Sequence, residues 1–87
     1  MHAWEAIQTT LDYIETHMDE DLKIEALAEL AALSPFYYQR LFSRLVKKPV
    51  REYIRLRRLA RASTMLRERG ARILDIALDC GFGSHEV

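Results

Sequence analysis

Leu27-Ala28-Glu29-Leu30-Ala31-Ala32-Leu33-Ser34-Pro35-Phe36-Tyr37-Tyr38-Gln39-Arg40-Leu41-Phe42 is the stretch whose reading decides the fold. Its first part belongs to a short helix, Ile24 to Ala31, with Ile24, Leu27, Ala28 and Ala31 on one face and Glu25 and Glu29 on the other. Glu25 lies near the N-terminal end, where the helix dipole favours it. Ala32-Leu33 is a very short joint, because Ser34 supplies an N-cap side chain and Pro35 suits the first turn of a helix. The next helix runs to about Val46 and is ended by Lys47-Lys48-Pro49, since the residue before proline is pushed out of the helical region. Ala28 is small enough to let the two helices approach, Leu27, Ala31 and Leu33 seal the inner angle, and Tyr38 and Leu41 anchor the second helix. This is the spacing of a helix-turn-helix, whose tight joint frees the second helix to enter a major groove.

Working outward, Trp4, Ile7, Leu11, Ile14 and Met18 recur at three- and four-residue steps and predict a helix from about Ala3 to His17, broken by Met18-Asp19-Glu20-Asp21. Downstream, the longest helix spans about Val50 to Glu68 and is closed by Arg69-Gly70. Tyr53, Leu56, Leu59, Ala60, Ser63 and Leu66 form one apolar side, while Ile54 and Met65 fall elsewhere. So wide a wrap suits a helix clasped from two sides. A fifth, short helix reads from Ile73 to Cys80. There Ile76-Ala77, then Cys80-Gly81-Phe82-Gly83-Ser84, echoes Leu27-Ala28, then Ala31-Ala32-Leu33-Ser34, roughly fifty residues later. Two copies of one unit flanking a long helix make an all-α fold. The expected division is residues 1–49, a first helix-turn-helix subdomain; 50–69, a linker helix; and 70–87, the start of a second, truncated subdomain.

The chain has 87 residues, and one of this size buries only about 60–65% of its unfolded surface. That disfavours a large pocket-bearing enzyme. Its 49% hydrophobic and 30% charged residues are those of a globular protein, and 3 Gly and 2 Pro leave few turns. A single cysteine, Cys80, excludes an internal disulfide framework, and His2, His17 and His85 are too scattered for a metal site. Neither a secretory leader nor an apolar run near the ~18–20 residues of a membrane span is evident, so no membrane association and a cytoplasmic location are expected. The formal net charge of zero conceals segregation. Eight acids against Lys23 alone give −7 up to Leu33, twelve bases against Glu52 and Glu68 give +10 from Ser34 to Arg72, and the tail carries −3. Ten of those twelve bases are arginine, whose planar fork suits phosphates and guanine edges.

Placing the helix from Pro35 at about 100° per residue clusters Tyr38, Leu41, Phe42 and Leu45 on a buried side. Phe36, Arg40 and Ser43 lie opposite, with Tyr37, Gln39 and Arg44 at the margins. Arg40 and Gln39 can pair with guanine and adenine edges, and Phe36 can pack on a thymine methyl. Two plainer readings stay open: Phe36 covering the helix start or a neighbouring loop, and Arg40 solvated or ion-paired. Tyr37, Ser43, Arg44, Lys47, Lys48, Arg51 and Arg55 are assigned to the DNA backbone. Ser34 is a cap first, and the N–H groups beside it can receive a phosphate. Arg57, Arg58 and Arg61 share one side of the long helix, and one of them can pair internally with an acid such as Asp75 or Asp79. Cys80 reads as an inert buried thiol.

Leu27-Ala28 with Leu33-Ser34-Pro35, Arg40-Leu41-Phe42, Glu52-Tyr53-Ile54 with Arg58-Leu59 and Ala62, and Ile76-Ala77 with Gly81-Phe82 and Ser84 together resemble the DNA-binding domain of the AraC/XylS family of bacterial transcription regulators. The resemblance covers nearly the whole chain in the family's order. It implies two homeodomain-like helix-turn-helix subdomains on a linker helix, reading adjacent major-groove segments of double-stranded DNA, with RNA polymerase as a further partner. It places Phe36, Gln39 and Arg40 at base-reading positions, and Ser84, His85 and Glu86, with Val87, at the opening of the second reading element. Three departures carry consequences. Lys47 stands where the family commonly has glycine, so the helix before it is expected to end differently. Ala32 replaces another glycine and is tolerable where the backbone avoids positive φ. The second recognition helix and its packing partner are absent, leaving Ile73, Ile76, Phe82 and Val87 uncovered at about 1.5–3 kcal/mol per large side chain. A frayed C-terminus or self-association through that truncated subdomain is therefore expected. Met1 directly before the first helix further suggests that the DNA-binding part opens the natural protein and that a ligand-sensing domain follows it.

A protein-interaction module built on the charge-segregated helices is the competing function. An enzyme is the third reading, and it finds no nucleophile with a base, no carboxylate pair in an evident cleft and no phosphate-cradling glycine loop; no cofactor is expected.

Overall fold

In the computed structural model, which describes residues 2–69 and Gly81, the order is α1 (Ala3–Thr16), α2 (Ile24–Leu30), α3 (Pro35–Val46) and α4 (Val50–Arg69). The described residues form helices and connecting turns, with no strand among them. The fifth helix expected from Ile73 to Cys80, and Ile73, Ile76, Phe82 and Val87, lie outside the described residues.

α2 packs chiefly against α3 and α1, and α3 in turn packs against α1 and α4. The core that joins them contains Ile7, Ile14, Met18, Leu27, Ala28, Tyr38, Phe42, Val50 and Ile54, all buried. Burying each large apolar side chain stabilises the fold by about 1.5–3 kcal/mol, so these contacts outweigh the weak helical preference of a seven-residue segment such as α2. Ala28 is fully buried, as its place at the closest approach requires. Leu33 packs on the same core just ahead of α3.

The ends of α2 and α3 carry the joint. After α2 the Ala32 N–H donates to the Glu29 carbonyl at 3.0 Å and the Leu33 N–H to the Ala28 carbonyl at 3.0 Å. This is the paired-bond helix stop that needs a left-handed residue, normally glycine. Ala32 supplies it at φ 58°, so the condition under which alanine replaces that glycine without cost is not met. Ser34 then caps α3, its Oγ accepting from the Tyr37 N–H at 3.2 Å, with Pro35 in the first turn. Lys47 ends α3 in the left-handed region at φ 72°, its N–H donating to the Ser43 carbonyl at 3.0 Å. The helix therefore stops as a glycine would stop it, not differently.

Two apolar assignments change. Trp4, expected on the inner stripe of α1, is half-exposed, and the polar Thr10 is buried beside Ala6, Ile7 and Ile14. Its hydroxyl donates to the Ile7 carbonyl at 2.9 Å and accepts from the Tyr38 hydroxyl at 2.9 Å, so no buried polar atom there goes unpaired. Along α4 the buried stripe is Val50, Ile54 and Arg58, whereas Leu56, Leu59 and Leu66 are exposed and Tyr53 is half-buried. Tyr53 still meets Phe42 edge-on, with ring centroids 5.6 Å apart.

Candidate DNA-reading face

Sequence dictates which side of α3 faces inward. Tyr38 and Phe42, four residues apart, are fully buried and meet at a tilted angle with centroids 5.9 Å apart, while Leu41 and Leu45 are half-buried beside them. Burial raises the pKa of the Tyr38 hydroxyl above its ordinary value, an effect that the hydrogen bond with Thr10 partly offsets. The inner side thus fixes the roll of the helix, and the opposite side is presented outward.

On that outer side Phe36 is 69% exposed and Tyr37 57% exposed, so neither covers the helix start as a buried plug. The Arg40 guanidinium carbon stands 5.6 Å from the centroid of the Phe36 ring, within reach of a cation–π attraction. Gln39 lies along the same helix, its Nε2 donating to the Pro35 carbonyl at 3.3 Å, a long bond that leaves its amide oxygen available. Phe36, Tyr37, Gln39, Arg40, Leu41, Ser43 and Arg44 line a hollow of about 540 Å³. α3 contains no acid, and neither Arg40, Arg44, Lys47, Lys48 nor Arg51 forms an ion pair with another described residue. Basic side chains at the C-terminal end of α3 also sit where its dipole favours them.

Each site residue from Ser34 to Arg51 falls on exposed or half-buried surface: Ser34, Tyr37, Arg44, Lys47 and Arg51 are exposed, and Ser43 and Lys48 half-buried. Ser84, His85 and Glu86 lie outside the described residues, as do Cys80, Asp75 and Asp79. The three arginines assigned together on α4 separate. Arg57 is half-buried and pairs with Glu15 of α1 at 2.8 Å, Arg58 is buried, and Arg61 is exposed. Arg58 was legible only as one of several basic residues; nothing in its neighbours marks it as buried. Among the described residues no group of His, Cys, Asp and Glu could hold a metal ion, and no helix is long and apolar enough to cross a membrane.

The helix-turn-helix domain family model matches residues 27–86, from the middle of α2 onward. The fold is likewise that of a crystal structure of a transcriptional regulator, described as an AraC-type DNA-binding domain-containing protein, from Chromobacterium violaceum: TM-score 0.85, 26% identity, covering 93% of this chain and 72% of that one. The chain belongs to the AraC-type helix-turn-helix family. Among AraC-type relatives, the regulatory protein SoxS of Salmonella typhimurium is 38% identical over 81 residues, covering 93% of this chain and 76% of its own length. An uncharacterized HTH-type transcriptional regulator, YbfP of Bacillus subtilis, is 40% identical over all 87 residues, but this chain spans only 30% of its length. This AraC-type family consists of transcription regulators rather than enzymes.

Proposed function

We propose that the chain binds double-stranded DNA sequence-specifically, with α3 lying in the major groove. The observation that carries this reading is the Phe36–Arg40 pair: an exposed aromatic ring with a guanidinium beside it, on a face without acids, held outward by the buried Tyr38 and Phe42. The ring limits where the Arg40 fork can swing, which reduces the entropy lost when it engages a guanine edge. Gln39 suits an adenine edge beside it. Ser34, Tyr37, Ser43, Arg44, Lys47, Lys48 and Arg51 flank these groups and anchor the backbone. Ser84, His85 and Glu86 open a second reading element. Acting as a transcription regulator, the protein works in the bacterial cytoplasm and has RNA polymerase as a further partner.

Selection of duplexes from a random pool, followed by titration of variants at several salt concentrations, tests the assignment. Arg40→Ala lowers affinity by about 1–3 kcal/mol at one base position and relaxes preference there. Lys48→Ala weakens binding to all duplexes alike and reduces the salt slope by about 1. Equal losses on selected and random duplexes for both variants refute base reading by α3.

A further inference from the structure

Arg58 has no part in the reading face, yet it is the charged residue of the inner stripe of α4 and only 6% exposed. Its guanidinium crosses to the turn after α1. Nε donates to the Met18 carbonyl at 3.1 Å and Nη2 to the Glu20 carbonyl at 2.8 Å. The same turn is tied to the end of α1 by the Glu20 N–H, which donates to the His17 carbonyl at 3.1 Å. Gly81, from the far end of the chain, stands against this point with φ +94°. A Cβ there would overlap the Met18 carbonyl oxygen and come within 2.7 Å of Arg58 Nε. Three segments distant in sequence therefore meet at one guanidinium, in a space that admits a glycine and no larger residue.

We propose that Arg58 is a positioning residue: its fork clamps the α1–α2 turn and seats Gly81, giving the chain that carries the proposed second contacts Ser84, His85 and Glu86 a fixed point of departure. The function of this joint rests on the DNA-reading proposal. A planar fork can serve two carbonyls at once and present a flat edge to a glycine, which a lysine ammonium cannot do. Holding two contact elements at a fixed separation lets the second engage at high effective concentration; a loose connection forfeits that gain without removing a contact from the first.

The test has a spectroscopic arm and a binding arm, both on the 87-residue chain. Glycine-selective ¹⁵N labelling gives signals from Gly70, Gly81 and Gly83 alone. Arg58→Lys is expected to move the Gly81 amide signal and speed its hydrogen exchange, and Gly81→Ala to speed exchange of the Arg58 Nε–H, which that variant retains. In binding, Ser84→Ala weakens affinity for a selected duplex roughly fivefold, the worth of one hydrogen bond. In the Arg58→Lys background Ser84→Ala has no further effect, whereas Arg40→Ala keeps its full effect. Losses from Arg58→Lys and Ser84→Ala that multiply independently overturn the proposal, as does an unmoved Gly81 signal or an Arg58→Lys variant in which Arg40→Ala no longer matters. Failure of the unsubstituted chain to distinguish selected from random duplex overturns the DNA reading instead, and the glycine and Nε–H signals then decide the joint alone.

Discussion

Replacing Ala32 with glycine should make the protein more stable, although it removes a side chain and touches no core contact. Ala32 holds φ 58° so that its own N–H and that of Leu33 can satisfy the Glu29 and Ala28 carbonyls. A Cβ in the left-handed region costs about 1–2 kcal/mol against the following carbonyl. Glycine removes that cost and adds back about 0.4–1 kcal/mol through the freedom it gives the unfolded chain. The balance is a gain of up to about 1.6 kcal/mol, about 0.8 kcal/mol at mid-range, which in a domain of this size raises Tm by about 3–6 °C. Thermal unfolding followed by far-ultraviolet circular dichroism measures it. Ala26→Gly is the control, because Ala26 is exposed inside α2 and ordinary helical geometry applies. There the same substitution costs about 1 kcal/mol and lowers Tm. Opposite signs for two alanine-to-glycine changes six positions apart follow only from the left-handed stop. If Ala32→Gly leaves Tm unchanged, or lowers it as Ala26→Gly does, the turn is not built as described.

The same reasoning gives Lys47→Gly a smaller or equal gain in Tm, with any loss of DNA affinity spread evenly over sequences because the contact proposed for Lys47 is to the DNA backbone. Thr10→Val should cost about 1–3 kcal/mol in denaturant unfolding, since it strands the buried Tyr38 hydroxyl, whereas Tyr38→Phe leaves Thr10 bonded to the Ile7 carbonyl and costs about 0.5–1.5 kcal/mol. Alkaline unfolding supplies a third check. The folded-state pKa of Tyr38 is raised by burial, and that of Tyr53 is raised by burial and by the Glu15 carboxylate, against the lowering effect of Arg57. Above the ordinary tyrosine value of about 10 the unfolded chain releases protons that the folded chain keeps. The stability they contribute is full below that pH and is lost as pH rises through the raised folded values, so Tyr38→Phe, although less stable at neutral pH, should lose stability less steeply with rising pH.

Local chemistry made most of the fold legible in the sequence. Ser34-Pro35 and Lys47-Lys48-Pro49 bracket α3 because capping and proline sterics act within a few residues, and the bounds of α3 match. The outward placement of Phe36, Gln39 and Arg40 was equally legible, since Tyr38 and Phe42 are large enough to fix the roll of the helix without help from elsewhere. The two helix stops were legible only in part. Ala32 and Lys47 could be noticed in glycine-like places, but their left-handed backbone comes from the need to satisfy the last carbonyls of α2 and α3, which overrides residue preference.

Where polar residues turn inward, the pattern of apolar positions misleads. Counting hydrophobes along α4 selects Tyr53, Leu56, Leu59 and Leu66, yet the helix turns Val50, Ile54 and Arg58 to the core. Arg58 is held there by main-chain carbonyls at Met18 and Glu20 among its partners, and these lie far away in sequence and carry no side-chain signature. Thr10 joins the inner stripe of α1 for a similar reason, because the Tyr38 hydroxyl coming from α3 needs a buried acceptor. Both exceptions are bonds between elements, and both lie at points where one helix must take a single position relative to another. Apolar contacts alone tolerate sliding, since many offsets bury similar area, whereas a guanidinium or hydroxyl at hydrogen-bond distance tolerates little. The outward side of α3 is therefore aimed in part by residues that the count of apolar positions passes over: Thr10, which receives the Tyr38 hydroxyl, sets α3 against α1, and Arg58 sets α4 against the turn that follows α1.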